Sequence, residues 1–134
     1  MREIEPPNFA EAVAKRRTFV RHANSDPTSA IKVLEARAMT GHTPAVSALI
    51  PTGVADRGGH LKRLVAQLEE QTFQDFEVVI VQGDTRQGRA LNTAAAAARG
   101  ELLIIMDDDT SLGHPEVFEN LVATMAEHSD IGMA

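Results

Sequence analysis

The chain has 134 residues, 43% of them hydrophobic, a formal net charge of −6 and no cysteine. That suits a single core in one domain of average size; it excludes a disulfide framework, a thiolate metal site and a cysteine nucleophile, and it fits a reducing compartment such as the cytoplasm. No stretch nears the roughly 20 apolar residues of a membrane span, the acidic balance disfavours nucleic acid, and five Phe without Trp or Tyr leave no stacking platform for bases or sugar rings.

Residues 1–43 read as a helical appendage. One helix is expected from about Asn8 to His22; a second opens at Asp26-Pro27, a cap followed by a favoured first helical residue, and runs to about Met39. Lys15, Arg16, Arg17 and Arg21 form either a solvated basic face or a contact for an anionic surface. Gly41-His42-Thr43-Pro44 marks a boundary, beyond which strands and helices alternate over 44–134. The expected elements are a strand near Ala45 to Ile50, a helix from about Gly59 to Gln71 with Leu61, Leu64, Val65 and Leu68 inward, and a strand over Phe76 to Val81. A helix from Gln87 to Arg99 closed by Gly100, a strand over Leu102 to Met106 and a helix from Pro115 to about Glu127 with Val117, Leu121, Val122 and Met125 inward complete the pattern, and a last strand is expected to begin at Ile131. This alternation predicts an α/β fold, Rossmann-like, with three α/β/α layers and a mainly parallel sheet whose loops after the strands gather on one edge.

The third strand runs directly into Asp107-Asp108-Asp109-Thr110. Adjacent carboxylates repel one another, so concentrating them at a strand end favours a cation there, and hard oxygen donors favour Mg²⁺ or Mn²⁺. Asp, Thr and Ser also form turns and cap helices, so a solvated turn before Pro115 stays open as the alternative. Pro51-Thr52 and the loop Gln82 to Thr85 are expected on the same rim. Gly88 would permit close backbone approach there, and Arg89, beside a helix N-terminus, would supply positive potential for phosphate, unless the two are simply a loop glycine and a surface arginine.

From about Ala45 to Ala134 the chain resembles the family 2 glycosyltransferases of the GT-A fold, and specifically their N-terminal, nucleotide-sugar-binding half. Three segments carry the resemblance: Val46 to Thr52, Gln71-Thr72-Phe73 through Val81, and Gly88-Arg89-Ala90-Leu91-Asn92 through Glu101, which leads into an Asp-X-Asp element at Asp107 to Asp109. The resemblance implies that Asp107 and Asp109 hold a divalent metal on the diphosphate of a sugar nucleotide and that Asp107 and Asp108 contact the nucleotide sugar. It also implies that Arg89 lies near phosphate and that Pro51, Thr52, Gln82 and Asp84 border base and ribose. The donor would be a nucleoside-diphosphate sugar and the acceptor a glycan, lipid or small molecule, with inverting transfer. The catalytic base is expected beyond Ala134, and membrane association is left to a longer form.

The chain departs from the family pattern where paired aspartates usually follow the second strand: Gln82 and Gly83 stand there, with acid only at Asp84. A glutamine amide both donates and accepts, so the choice of base is open. His114, Glu116 and Glu119 read as loop and solvated helix residues. Two other functions share strand-end acids. A nucleotidyltransferase acting on a sugar phosphate would want a glycine-lysine phosphate loop after the first strand, which Gly53 to Gly59 does not form; a receiver-like phospho-acceptor domain would want acids where Pro51-Thr52-Gly53 stands.

Overall fold

The computed structural model describes residues 1–6, 31–36, 42–53 and 57–133. Its strands are β1 (Arg2–Ile4), β2 (Ile31–Glu35), β3 (Val46–Thr52), β4 (Phe76–Gln82) and β5 (Leu102–Ile105). Its helices are α1 (His60–Glu69), entered through a 3₁₀ turn at Arg57–Gly59, α2 (Gln87–Ala97) and α3 (Val117–Glu127). From Ala45 onward the expected and observed elements coincide within a few residues, except at the end: Ile131 lies outside any strand.

The five strands form one sheet in the order β1-β2-β4-β3-β5. β3 pairs in parallel with β4 and with β5, whereas β2 is antiparallel to β4 and β1 to β2. The sheet is therefore mixed, and the expectation of a mainly parallel one holds only for β3, β4 and β5. The helix expected to reach Met39 is corrected as well, because Ile31–Glu35 is a strand. In Ile31-Lys32-Val33 two β-branched residues flank a lysine, so Ile31 and Val33 face the core while Lys32 is exposed, and pairing with β4 overrides the helix that the Asp26-Pro27 cap suggested. The helix expected from Asn8 to His22 and the basic group within it lie outside the described residues.

Period-2 alternation sorts the side chains into two cores, one on each face of the sheet. On one face Val46, Ala48, Ile50, Phe76, Val78 and Ile80 meet Leu61, Leu64 and Leu68 of α1 and Phe118 of α3. On the other, Leu49, Val79 and Val81, with Ile31 and Val33, meet the alanines of α2. The short alanine side chains bring that helix close to the strands, as the Ala94 to Ala98 run suggests. Phe118 is the buried anchor of α3, crossing Phe76 edge-to-face at 5.1 Å and 71°; Val117 and Val122 are only partly buried. The layers are thus α1 and α3, the sheet, and α2.

At the end of the sheet where β3 and β4 begin, two carboxylates face each other across the strands, with Glu35 in register with Glu77. Arg99, just past α2, bridges them: its Nε donates to Glu77 Oε2 at 2.8 Å and its Nη2 to Glu35 Oε2 at 3.3 Å. The Arg99 amide and the Ser47 hydroxyl both donate to Glu77 Oε1, at 2.7 and 2.8 Å, and Arg2 pairs with Glu35. Burial alone would raise the Glu35 carboxyl, but its bonds to Arg2 and Arg99 hold it below the ordinary range. Gly100 closes the lock. Its amide donates to Ser47 Oγ at 2.8 Å, and a Cβ there would lie 2.6 Å from Val46 C and Ser47 N.

Two outcomes are expected. Arg99→Met should cost roughly 2–3 kcal/mol at neutral pH, below the full value of a buried pair because the guanidinium is a third exposed. Glu35 has a depressed folded pKa, so its contribution is present above the unfolded value of about 4.3 and is lost as pH falls through the folded value. The gap between wild type and variant, measured by urea unfolding, should therefore shrink below that pH. Gly100→Ala should lose about 1–3 kcal/mol in the same assay, because neither backbone atom it meets belongs to a flexible side chain.

Candidate functional site

The parallel register sets the rim. Thr52 is level with Gln82 and Leu49 with Ile105. Beyond the strands, Gly83 N–H donates to Thr52 O at 3.1 Å and Met106 N–H to Leu49 O at 3.0 Å, so β3 and β4 leave the sheet together and β5 leaves it three residues earlier along β3. Gly83 turns with φ 84°, a conformation that favours glycine. The path after β3 goes to α1 on one face and the path after β4 to α2 on the other, which is where an α/β sheet opens a crevice. A cleft of about 370 Å³ lies there, lined by Pro51, Thr52, Gly53, Asp84, Thr85, Gln87, Asp107, Asp108 and Asp109.

Each carboxylate in it has a different partner. Asp84 is taken by Arg89, whose Nε donates to Oδ2 at 2.6 Å and Nη2 to Oδ1 at 2.9 Å, while the Arg86 amide donates to Oδ1 at 2.9 Å across an Asx turn. These bonds to Arg89 hold the Asp84 carboxyl below the usual aspartate range, against the effect of burial, and raise the guanidinium. Asp108 accepts from the buried Thr52 hydroxyl at 2.8 Å, and Asp107 from Gln87 Nε2 at 3.2 Å. The backbone turns from Asp107 to Thr110 through a 3.1 Å amide bond. Among the described residues no hydrogen bond reaches the exposed Asp109 side chain, and no three acidic or histidine side chains gather tightly enough to hold a metal ion by themselves.

The loop that follows is clasped by two glutamines, Gln67 in the last turn of α1 and Gln71 just beyond its end. Gln67 Oε1 accepts from the Leu112 amide at 2.7 Å, and its Nε2 donates to Ser111 Oγ at 3.4 Å. Gln71, buried, donates to His114 O at 3.0 Å and accepts from the Phe118 amide at 3.1 Å, and the Thr72 amide donates to Pro115 O at 2.8 Å. The Gln71-Thr72 pair therefore fixes the start of α3 and the loop behind the acidic tip.

Of the residues expected at the site, Pro51, Thr52, Asp84, Asp107, Asp108 and Asp109 share the cleft. Gln82 is exposed at the end of β4 and outside the lining, and Arg89 is likewise outside it, its guanidinium committed to Asp84. Sequence reasoning passed over Gln87, the first residue of α2, and Gly53; an amide side chain at a helix start aimed toward the rim was the available signal.

The fold and cleft define an α/β domain with a carboxylate-rich crevice at the carboxyl ends of parallel strands. The family model described as "Glycosyl transferase family 2" matches residues 82–133. That match corrects the expected extent of the resemblance: it lies in the C-terminal portion of the chain, covers less than half of it, and leaves Val46 to Thr52 and Gln71 to Val81 outside, so the chain is not identified as the N-terminal half of such an enzyme. No curated protein and no solved structure matches the chain. The match supports a glycosyltransferase-like, transferase-type role and a nucleotide-sugar donor in general terms. Among the described residues no helix is long and apolar enough to cross a membrane.

Gln71→Leu, close in volume, should leave the buried Phe118 amide without its acceptor and His114 O without its donor, and cost about 2 kcal/mol. Chemical denaturation followed by circular dichroism checks this, with Thr72→Val expected to lose less.

Proposed function

We propose that the cleft holds the diphosphate of a nucleoside-diphosphate sugar and that the chain takes part in glycosyl transfer by binding this donor. The observation that carries the reading is a coincidence of two facts: the segment matching the family contains Asp84, Thr85, Gln87 and the three strand-end aspartates, and these meet Pro51 to Gly53 in one cleft.

A divalent cation, Mg²⁺ or Mn²⁺, belongs to this reading. The donor set is hard oxygen, and Mg²⁺ is commonly held by one or two carboxylates plus substrate phosphates rather than by an all-protein cage, so the lack of a three-acid cluster among the described residues fits a cation that arrives with the diphosphate. Asp107 and Asp109 would hold it, and when bound it would offset the charge of the departing nucleoside diphosphate. Asp108, held by Thr52, would face the nucleotide sugar. Arg89 acts through Asp84, fixing the loop at the start of α2 instead of meeting phosphate directly. The acceptor hydroxyl would attack with inversion after losing its proton to a general base.

Calorimetric titration of UDP and GDP, with and without Mn²⁺, into the chain and into Asp109→Ala tests the proposal. Metal-dependent binding that the substitution weakens tenfold or more, about 1.4 kcal/mol, is the expected result. Equal affinity of the two proteins overturns the metal assignment, and no binding by the unaltered chain overturns the donor site.

A further inference from the structure

We infer that Gln87 is a positioning residue, whose side-chain amide sets the direction in which the Asp107 carboxylate faces the cleft. The inference rests on the donor-site reading above and adds to it a residue on a different element. Asp107 opens a run of three carboxylates at the tip of β5, and like charges side by side turn away from one another toward solvent unless something holds them. Among the described residues the side chain that holds Asp107 is Gln87, which donates to Oδ1 at 3.2 Å across twenty positions of sequence and itself lines the cleft.

The chemistry of the donor matters as much as its place. Arg89 meets Asp84 with a cation, so that the negative charge of Asp84 is consumed within the protein. An amide carries no net charge. Gln87 occupies one Asp107 oxygen and leaves both the charge and the second oxygen for a ligand. Thr52 does the same for Asp108 with a hydroxyl, at 2.8 Å. Neutral donors from β3 and α2 thus orient adjacent carboxylates of β5 without neutralising them, an arrangement suited to a cationic ligand and wasteful for a purely structural turn.

A double-mutant cycle separates action through Asp107 from a general effect at the helix start. UDP with Mn²⁺ is titrated into the unaltered chain, Gln87→Ala, Asp107→Ala and the double variant, with thermal unfolding of each recorded. Gln87→Ala should weaken binding three- to tenfold with an unchanged unfolding midpoint, and the double variant should bind no more weakly than Asp107→Ala alone. If the unaltered chain binds and the two single losses multiply, or if Gln87→Ala binds as the unaltered chain does, the inference is overturned while the donor site stands. If the unaltered chain fails to bind UDP with Mn²⁺, the donor site itself falls and the inference with it.

Discussion

The parallel registration of β3 with β4 on one side and β5 on the other is the constraint from which the cleft follows. Because Thr52 is level with Gln82, the loops after β3 and β4 leave the sheet at one height, while β5, whose last residue Ile105 is level with Leu49, ends three residues short of them and leaves a step in the edge. The order in which the strands are visited sends the chain over one face after β3 and over the opposite face after β4, so the loops diverge and leave space between them. The Thr52 hydroxyl, bonded to Asp108, ties the β5 loop to the end of β3. The backbone bonds from Gly83 to Thr52 and from Met106 to Leu49 merely carry the ladders slightly further.

The two ends of the same sheet treat carboxylates in opposite ways. At the closed end, Glu35 and Glu77 face each other and are satisfied by Arg99, Arg2, Ser47 and the Arg99 amide; Glu77 is 1% exposed, and its charge is matched where it stands. At the open end, among the described residues, Asp84 is the acid with a cationic partner. Asp107 and Asp108 receive hydrogen bonds from uncharged groups, which fix direction while preserving charge. Both ends contain clustered acids, and what distinguishes a structural lock from a ligand-ready rim is the charge of the partner.

Much of the fold was legible because β3, β4 and β5 are continuous apolar runs bounded by turn residues, and because α1 repeats leucine at helical spacing. β2 was not. Its apolar residues at positions 31, 33 and 34 satisfy a helical stripe as readily as a strand, and only the antiparallel partner β4, distant in sequence, decides between them. β1 has three residues, too few for any period to show. At the rim, the spacing predicted which loops would meet, but not that Arg89 would turn back on Asp84: a five-residue separation spanning a loop and a helix start has no fixed geometry until the Asx turn at Arg86 sets it. Phe118 escaped notice for a related reason. The stripe of Val117, Leu121, Val122 and Met125 suggested the inward face, whereas the ring that fits against Phe76 is the one the core encloses.

The departure at Gln82 and Gly83 gains a physical meaning from these contacts. Where the resemblance leads one to expect acids after the second strand, β4 ends in an exposed amide and a glycine at positive φ, and the one acid that follows has both oxygens occupied by Arg89 and the Arg86 amide. The β4 loop therefore brings no uncommitted carboxylate to the cleft. In the proposed donor site, base recognition would fall to uncharged groups of the lining, Pro51 to Gly53 and Thr85 among them. Neutral groups that both donate and accept separate one base from another less sharply than a fixed carboxylate facing a ring N–H. The negative charge of the rim is concentrated instead on the β5 side, so that in the proposed donor site the diphosphate and its cation would lie against β5 and the base would face the loops of β3 and β4.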